Sequence, residues 1–226
     1  MSAAPLVDSI RSALRAEADP ERAPQMQAYM KSETPFLGVP LPTVRKVATA
    51  AAREHPPRTL AELVHVVEEL WDHAEFREER YAAAALLRRP MTDGALELVP
   101  LYIHLATTGA WWDHVDDLAR HLAALHDAHP QETAALVRAW STGDDMWLRR
   151  LAIISQLGRR ERADHDLLAA VIEPNLDDTE FFIRKAIGWA LRDHARVDPH
   201  WVRTFVASHA DRMSALSQRE ALKHVG

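Results

Sequence analysis

Trp111-Trp112-Asp113-His114-Val115-Asp116-Asp117-Leu118 is the stretch that fixes the reading of this chain. Its helical opening, Trp112-Asp113-His114, has counterparts at Phe76-Arg77-Glu78, Trp147-Leu148-Arg149 and Phe182-Ile183-Arg184. The leading aromatics stand 36, 35 and 35 residues apart. Each opens a segment with an apolar face, and one further helical segment (130–141, then 164–175) separates the second from the third and the third from the fourth. A helix pair repeating at this period is the mark of an all-α, HEAT-like α-solenoid, an ARM/HEAT-type superhelix of antiparallel helix pairs. Equivalent helices of a solenoid form one layer, so side chains at matching repeat positions become neighbours on a concave face.

Around this core the chain reads as helix throughout. Leu60, Leu63, Val64, Val67, Leu70 and Trp71 keep the 3.6-residue spacing of an amphipathic helix. Asp19-Pro20, Leu41-Pro42, His129-Pro130 and Asp198-Pro199 look like helix entrances, where a missing N–H costs little. The pattern predicts helices over about 5–17, 21–32, 42–54, 59–72, 75–89, 92–107, 110–127, 130–141, 145–158, 164–175, 179–196, 199–208 and 214–224. No convincing strand and no low-complexity linker interrupts them, so one repeat domain spanning 1–226 is expected.

The chain has no cysteine, which excludes disulfides, thiol catalysis and Cys-ligated metal and suits a reducing cytosol. Residues 1–14 lack the pattern of a secretory leader, and no apolar run reaches membrane-spanning length, so a cytoplasmic protein without a membrane partner is expected. A net charge of −6 argues at first against nucleic acid. Residues 1–144 hold a net −7 and residues 145–226 a net +1, however, with Arg149, Arg150, Arg159, Arg160 and Arg162 close together, as are Arg184, Lys185, Arg192 and Arg196. A local basic surface in the second part is therefore expected.

Counted from the leading aromatics, Trp112 stands at offset zero, Asp116 at four, Arg150 and Lys185 at three and Trp189 at seven, all on one side of a helix. Val115, Leu118, Leu122, Leu148, Leu151, Ile154, Ile183, Ile187 and Leu191 fall elsewhere and form the expected core. Arginines grip phosphates, and indoles pack on sugars or bases. A carboxylate among them needs a reason, and stabilising positive charge that develops in a reaction is one. Cleavage of an N-glycosidic bond generates such charge on the sugar.

These residues lie in stretches that resemble the AlkD-like DNA alkylation repair glycosylases, which are built from HEAT-like repeats. The stretches are Tyr29-Met30-Lys31 with Phe36-Leu37-Gly38, Glu69-Leu70-Trp71-Asp72, Trp111-Trp112-Asp113 with Val115-Asp116, and Trp147-Leu148 with Arg150. Ala186-Ile187-Gly188-Trp189 with Leu191-Arg192, and Ser217-Gln218-Arg219-Glu220-Ala221 with Lys223-His224, complete them. The resemblance implies a monofunctional glycosylase, a hydrolase of N-glycosyl bonds, that excises cationic N3- and N7-alkylated purines from duplex DNA in base excision repair. It implies a concave DNA-binding face, monomeric action, and no metal or organic cofactor. It places the catalytic carboxylate on Asp116, the sugar-contacting indoles on Trp112 and Trp189, and the key arginine, holding a backbone phosphate, on Arg150. Tyr29, Lys31, Arg149, Lys185 and Arg192 are the expected DNA contacts. A deep base-flipping pocket is then not required, and bulky adducts would be tolerated. The extra Arg149 departs from the family pattern, as does the end at Gly226 without a basic tail.

Simpler readings stand beside these. Trp71, Trp140 and Trp201, and with them Trp111 and Trp147, read as core. Asp113 reads as a helix-dipole partner, Tyr29 either reaches the groove or packs, and 159–162 reads as a solvated turn. His121, His126 and His129 lack metal-ligand spacing. The rival functions are a non-catalytic protein binding distorted or branched DNA, which has no need of Asp116, and a protein-binding helical scaffold, whose association with DNA would be weak and insensitive to salt.

Overall fold

The computed structural model describes residues 4–223 and 225. It is all-α, with thirteen α-helices and no strand among the described residues. The sequence groups residues 1–226 as one repeat domain; the chain packs as two compact units, Met1–Thr92 and Asp93–Gly226.

The first unit holds α1 (Ala4–Ala16), α2 (Ala23–Met30), α3 (Leu41–Glu54), α4 (Leu60–Asp72) and α5 (Arg77–Leu86). Helix α1 buries Leu6, Val7, Ile10 and Leu14 and packs on α3, α4 and α5. Helices α3 and α5 pack on one another, and each buries small side chains, Ala48, Ala51 and Ala52 on one and Ala82, Ala83 and Ala84 on the other. Thr59 caps α4 by accepting the Glu62 N–H at 3.1 Å, and the Glu62 carboxylate accepts the Arg58 N–H at 2.7 Å. The first satisfies a donor that a helix start leaves open, and the second ties the residue before the cap to the first turn.

Irregular backbone in this unit is tied down by a buried acid. The fully buried Glu78 carboxylate accepts the N–H groups of Leu37, Gly38 and Val39 at 2.9, 2.9 and 3.1 Å. Gly38 sits at φ +87°, and a Cβ there would lie 2.1 Å from the Asp19 carbonyl oxygen. Only glycine fits both the left-handed conformation and that approach.

The second unit holds α6 (Val99–Gly109), α7 (Trp112–Ala128), α8 (Pro130–Ser141), α9 (Met146–Ile154), α10 (His165–Ile172), α11 (Phe181–His194), α12 (Pro199–Ser208) and α13 (Ala215–Ala221). Helices α7, α9, α11 and α13 pack side by side as one layer, with α8 and α10 neighbours in the other. This is the stacking of helix pairs expected of an α-solenoid. Val115, Leu118, Leu122, Leu151, Ile154, Ile183, Ile187 and Leu191 are all buried, and Leu148 is half-buried. Pro130 and Pro199 occupy first helical positions, and the Asp198 side chain accepts the Trp201 N–H at 2.8 Å. The helix expected over 92–107 instead begins at Val99, after Gly94 at φ +70° and a short 3₁₀ turn, and runs to Gly109.

The repeat register also shifts by one residue. Trp111, not Trp112, packs with the aromatics of the next two repeats, its ring centroid 6.2 Å from Trp147 and 5.4 Å from Phe182, with Trp147 and Phe182 5.1 Å apart. Trp71, Trp140 and Trp147 are buried as expected, whereas Trp111 and Trp201 are half-buried.

Gly38→Ala is expected to destabilise the protein by at least about 2 kcal/mol, through strain and clash. Its thermal midpoint should fall by roughly 5 °C or more. Gly158→Ala, with positive φ but nothing within 4 Å of the added Cβ, should cost about 1 kcal/mol. Thermal denaturation of the two variants checks the ranking.

Candidate functional site

The candidate site starts at the N-terminal ends of α7, α9 and α11, where the aromatic contacts among Trp111, Trp147 and Phe182 align the three helices. Asp145 fixes the entrance of α9 by accepting the N–H groups of both Trp147 and Leu148 at 2.9 Å. Arg150, one turn into α9, is thereby set between its neighbours.

The Arg150 side chain is 5% exposed and makes three hydrogen bonds. Its Nε and Nη2 donate to Asp116 Oδ1 and Oδ2 on α7, each at 2.8 Å. Its Nη1 donates to the Phe182 carbonyl on α11 at 2.6 Å, and its guanidinium lies 5.9 Å from the Phe182 ring centroid. Three of its five N–H donors are thus engaged within the protein, and a buried guanidinium so held orients the carboxylate it pairs with.

Asp116 is neither on open solvent nor sealed in the core: its side chain is 18% exposed. Burial pushes its carboxyl above the ordinary aspartate value; the Arg150 pair offsets part of that rise, and the nearby Asp113 and Asp117 add to it. Trp112, the first residue of α7, is half-buried one turn before Asp116 on the same helix face. Trp189 is half-buried on α11, seven residues beyond Phe182 and on the same side of that helix.

The expected basic stripe is largely paired within the protein. Glu220 of α13 accepts from Arg192 Nη1 at 2.6 Å and lies 3.4 Å from Lys185 Nζ, so one carboxylate bridges two cations spaced along the helix face that carries Trp189. Burial alone would raise the Glu220 carboxyl, but Lys185, Arg192 and Lys223 outweigh it and hold it below the ordinary value. The approach of α13 depends on Gly188, where a Cβ would lie 2.5 Å from Glu220 Cβ. Arg149 donates to the carbonyls of Gly143 and Asp144 at 2.9 and 2.8 Å and to Asp178 Oδ2 at 3.2 Å.

Residues 159–162 are only partly the solvated turn expected. Arg160 and Arg162 are exposed in a 3₁₀ turn, but Arg159 is buried against Asp127 and Gln156. In the first unit Tyr29 is 75% exposed, which excludes the packed reading, and Lys31 follows it, exposed, at φ 49°. His224, part of the last matching stretch, lies outside the described residues.

Glu220 was not singled out in the sequence as a site residue, nor was Phe182 as the source of a backbone acceptor. The sequence signal for Glu220 lay only in its membership of the Ser217–Ala221 stretch. The three histidines 121, 126 and 129 are used separately: His121 stacks on Tyr102 at 5.2 Å, His126 hydrogen-bonds Ser155 at 3.1 Å, and His129 joins α7 to α8. Burial lowers the His126 pKa to about 4. Among the described residues no group of three or more His, Asp or Glu is placed to hold a metal.

An all-α stack carrying a carboxylate fixed by a buried arginine, with half-exposed indoles on the flanking helices, defines a repeat-built protein with a polar site on one helix layer. The chain belongs to the family of DNA alkylation repair enzymes, whose model matches residues 10–225. It is similar to a solved structure described as a predicted DNA alkylation repair enzyme from Enterococcus faecalis. The two share 30% identity with a TM-score of 0.83, over 92% of this chain and 96% of that one. No curated protein matches the chain.

Replacing Arg150 tests the pairing directly. Arg150→Met should lower stability by roughly 3 kcal/mol, the usual loss when a buried pair is broken. It should also raise the Asp116 pKa further, because the charge opposing desolvation is gone. Carboxyl 13C NMR titration should place the Asp116 midpoint above that of exposed aspartates in the wild type and higher again in the variant.

Proposed function

We propose that this protein is a DNA N-glycosylase that removes cationic alkylated purines, of the N3-methyladenine and N7-methylguanine type, from duplex DNA in base excision repair. The observation that carries this reading is the Asp116–Arg150 pair: an aspartate with 18% of its side chain open, its orientation fixed by a buried bidentate guanidinium. Family membership supplies the substrate class, since alkylation repair acts on DNA.

In the reaction, the electron pair of the C1′–N bond leaves with the purine, whose positive charge is thereby neutralised, so no general acid is needed. Positive charge passes to the sugar. Ionised Asp116 stabilises that charge, and as water adds to C1′ it accepts a proton from the water. A carboxyl raised above its ordinary value is the better proton acceptor, provided it stays ionised at working pH. Trp112 and Trp189 flank the deoxyribose and contribute C–H/π and cation–π attraction of about 0.5–2 kcal/mol each. Arg150 is a positioning residue for Asp116 in this scheme. Tyr29, Lys31, Arg149, Lys185 and Arg192 are the proposed DNA contacts, the last two becoming available as phosphates displace Glu220. The reaction is monofunctional hydrolysis by a monomer, without metal or organic cofactor.

One observation favours a second reading, a non-catalytic binder of distorted DNA: both Asp116 oxygens accept from Arg150, a structural use that a binding protein would share. Asp116→Asn separates the two. The glycosylase reading expects release of methylated bases from duplex DNA, followed by mass spectrometry, to fall by roughly a hundredfold or more while DNA binding persists. Unchanged release, or no release by the wild type, overturns it. As pH falls, wild-type excision should fade at a pH above that expected for an ordinary aspartate, because Asp116 takes up its proton early.

The internal pairing of the cations gives a further expectation. Glu220→Gln should tighten binding to unmodified duplex and steepen its salt dependence, since Lys185 and Arg192 each become free to release about one counter-ion. Fluorescence anisotropy across a salt series reads both.

A further inference from the structure

A chain of rings runs along the seam where α10, α11 and α12 of the second unit meet. His194, the last residue of α11, stands edge-on to His165, the first of α10, with centroids 4.4 Å apart and planes at 74°. Both face Trp201 of α12, at 5.4 and 5.2 Å. Trp201 stacks on Phe205 at 5.2 Å, and Phe205 meets His209 at 4.3 Å. Residues 201, 205 and 209 recur every four positions, so one face of α12 is held to its neighbours through rings. Neither the proposed reaction nor the proposed DNA contacts use these side chains.

His194 is the informative member. It is 4% exposed, and among the described residues neither of its ring nitrogens has a hydrogen-bond partner. A neutral imidazole carries one donor and one acceptor, and protonation turns both into donors. The ring borders a cavity of about 10 Å³, at the lower limit for a single water. Polar groups on that cavity are already committed, Gln156 to Asp164 and Arg159, and Asp193 to the Gly158 N–H. The other charged side chain lining it, Arg160, is a cation, and no residue of α12 or α13 lines it. Burial and the neighbouring His165 hold the His194 pKa below the ordinary histidine value, against the weaker pull of Asp198 and Asp193.

An imidazolium at 194 places a charge and two unanswered donors where there is no room for a hydration shell, beside a second ring that titrates in the same range. Reaching solvent means leaving His165 and Trp201, the contacts that join α12 to α10 and α11. At the far end of the chain His209 behaves oppositely: it is half-buried, 3.7 Å from Glu173, and a proton there strengthens the pair. We infer that the α10–α11–α12 seam is an acid-sensitive latch, closed while His194 is neutral and opened when it takes up a proton. Helix α11 also carries Lys185 and Trp189, so opening loosens the helix that holds them. The latch does not depend on the reaction assigned to Asp116.

The folded protein binds this proton less readily than the unfolded chain. Stability is therefore whole above the ordinary histidine value of 6.5 and falls as pH drops from there to the lowered folded value. His126, lowered to about 4, adds a loss of the same sign, so the share of His194 is read by difference.

The test compares wild type with His194→Phe and His194→Leu, which keep an apolar side chain in the seam and remove its proton. Hydrogen exchange of α12, referred to α3 and corrected for intrinsic rates, is followed at about pH 7.5 and about pH 5.5, with denaturant unfolding at both. On acidification, exchange across α12 of the wild type should accelerate several-fold more than across α3. The variants should abolish that excess and weaken the pH dependence of the unfolding constant by up to about tenfold per pH unit, the share of one proton. If neither variant folds, imidazole NMR titration of the wild type decides: the His194 midpoint should lie below that of exposed histidines. No excess exchange in the wild type, an equal excess in a folded variant, or a His194 midpoint at or above the ordinary value overturns the inference. Base release plays no part in these readouts, so failure of the glycosylase reading leaves the latch standing.

Discussion

The second unit depends on what one guanidinium does with its N–H groups. Arg150 ties α7 to α9 through the Asp116 carboxylate, and α9 to α11 through the Phe182 carbonyl. A repeat stack is held by nearest-neighbour contacts, and apolar packing alone tolerates sliding between layers. A fork of fixed geometry does not, because a small slip would strand a buried charge. The aromatic contacts of Trp111, Trp147 and Phe182 set the same helix ends at the same spacing. Structural register and orientation of the Asp116 carboxylate are thus one constraint. Precision of this kind is what the proposed reaction asks of a group facing a developing charge.

Charge economy follows a similar rule across both units. Most cations that the sequence offered as an open basic surface are matched internally: Lys185 and Arg192 by Glu220, Arg149 by Asp178, Arg159 and Arg162 by Asp127. Such matching offsets much of the local repulsion among cations crowded into 145–226. In the first unit the same logic runs inward, with Glu78 spent entirely on three backbone N–H groups. What a carboxylate does here is decided by the donors around it, and composition counts all of them alike.

The all-helical class, the helix pairs and the core were legible in the sequence because hydrophobic periodicity and proline at helix entrances are local signals. The approximate repeat was legible too, since aromatics recurred near a fixed spacing, and family motifs drew attention to Asp116, Arg150, Trp112 and Trp189. The partner of Arg150 was not legible. Thirty-four residues separate it from Asp116, and only the packing of α7 on α9 brings the two within 2.8 Å. The register error between Trp111 and Trp112 has the same origin: adjacent tryptophans are equivalent to a count of residues and differ only in which ring reaches Trp147.

The sequence by itself therefore determined the elements and the chemistry on offer, because helix propensity, amphipathic spacing and side-chain type are properties of short stretches. Tertiary structure alone decided which charges pair, which arginine is buried, and that His194 is buried against His165 and Trp201. Those outcomes depend on distances between helices, which the loss of water around each polar group turns into energy. No local pattern encodes them.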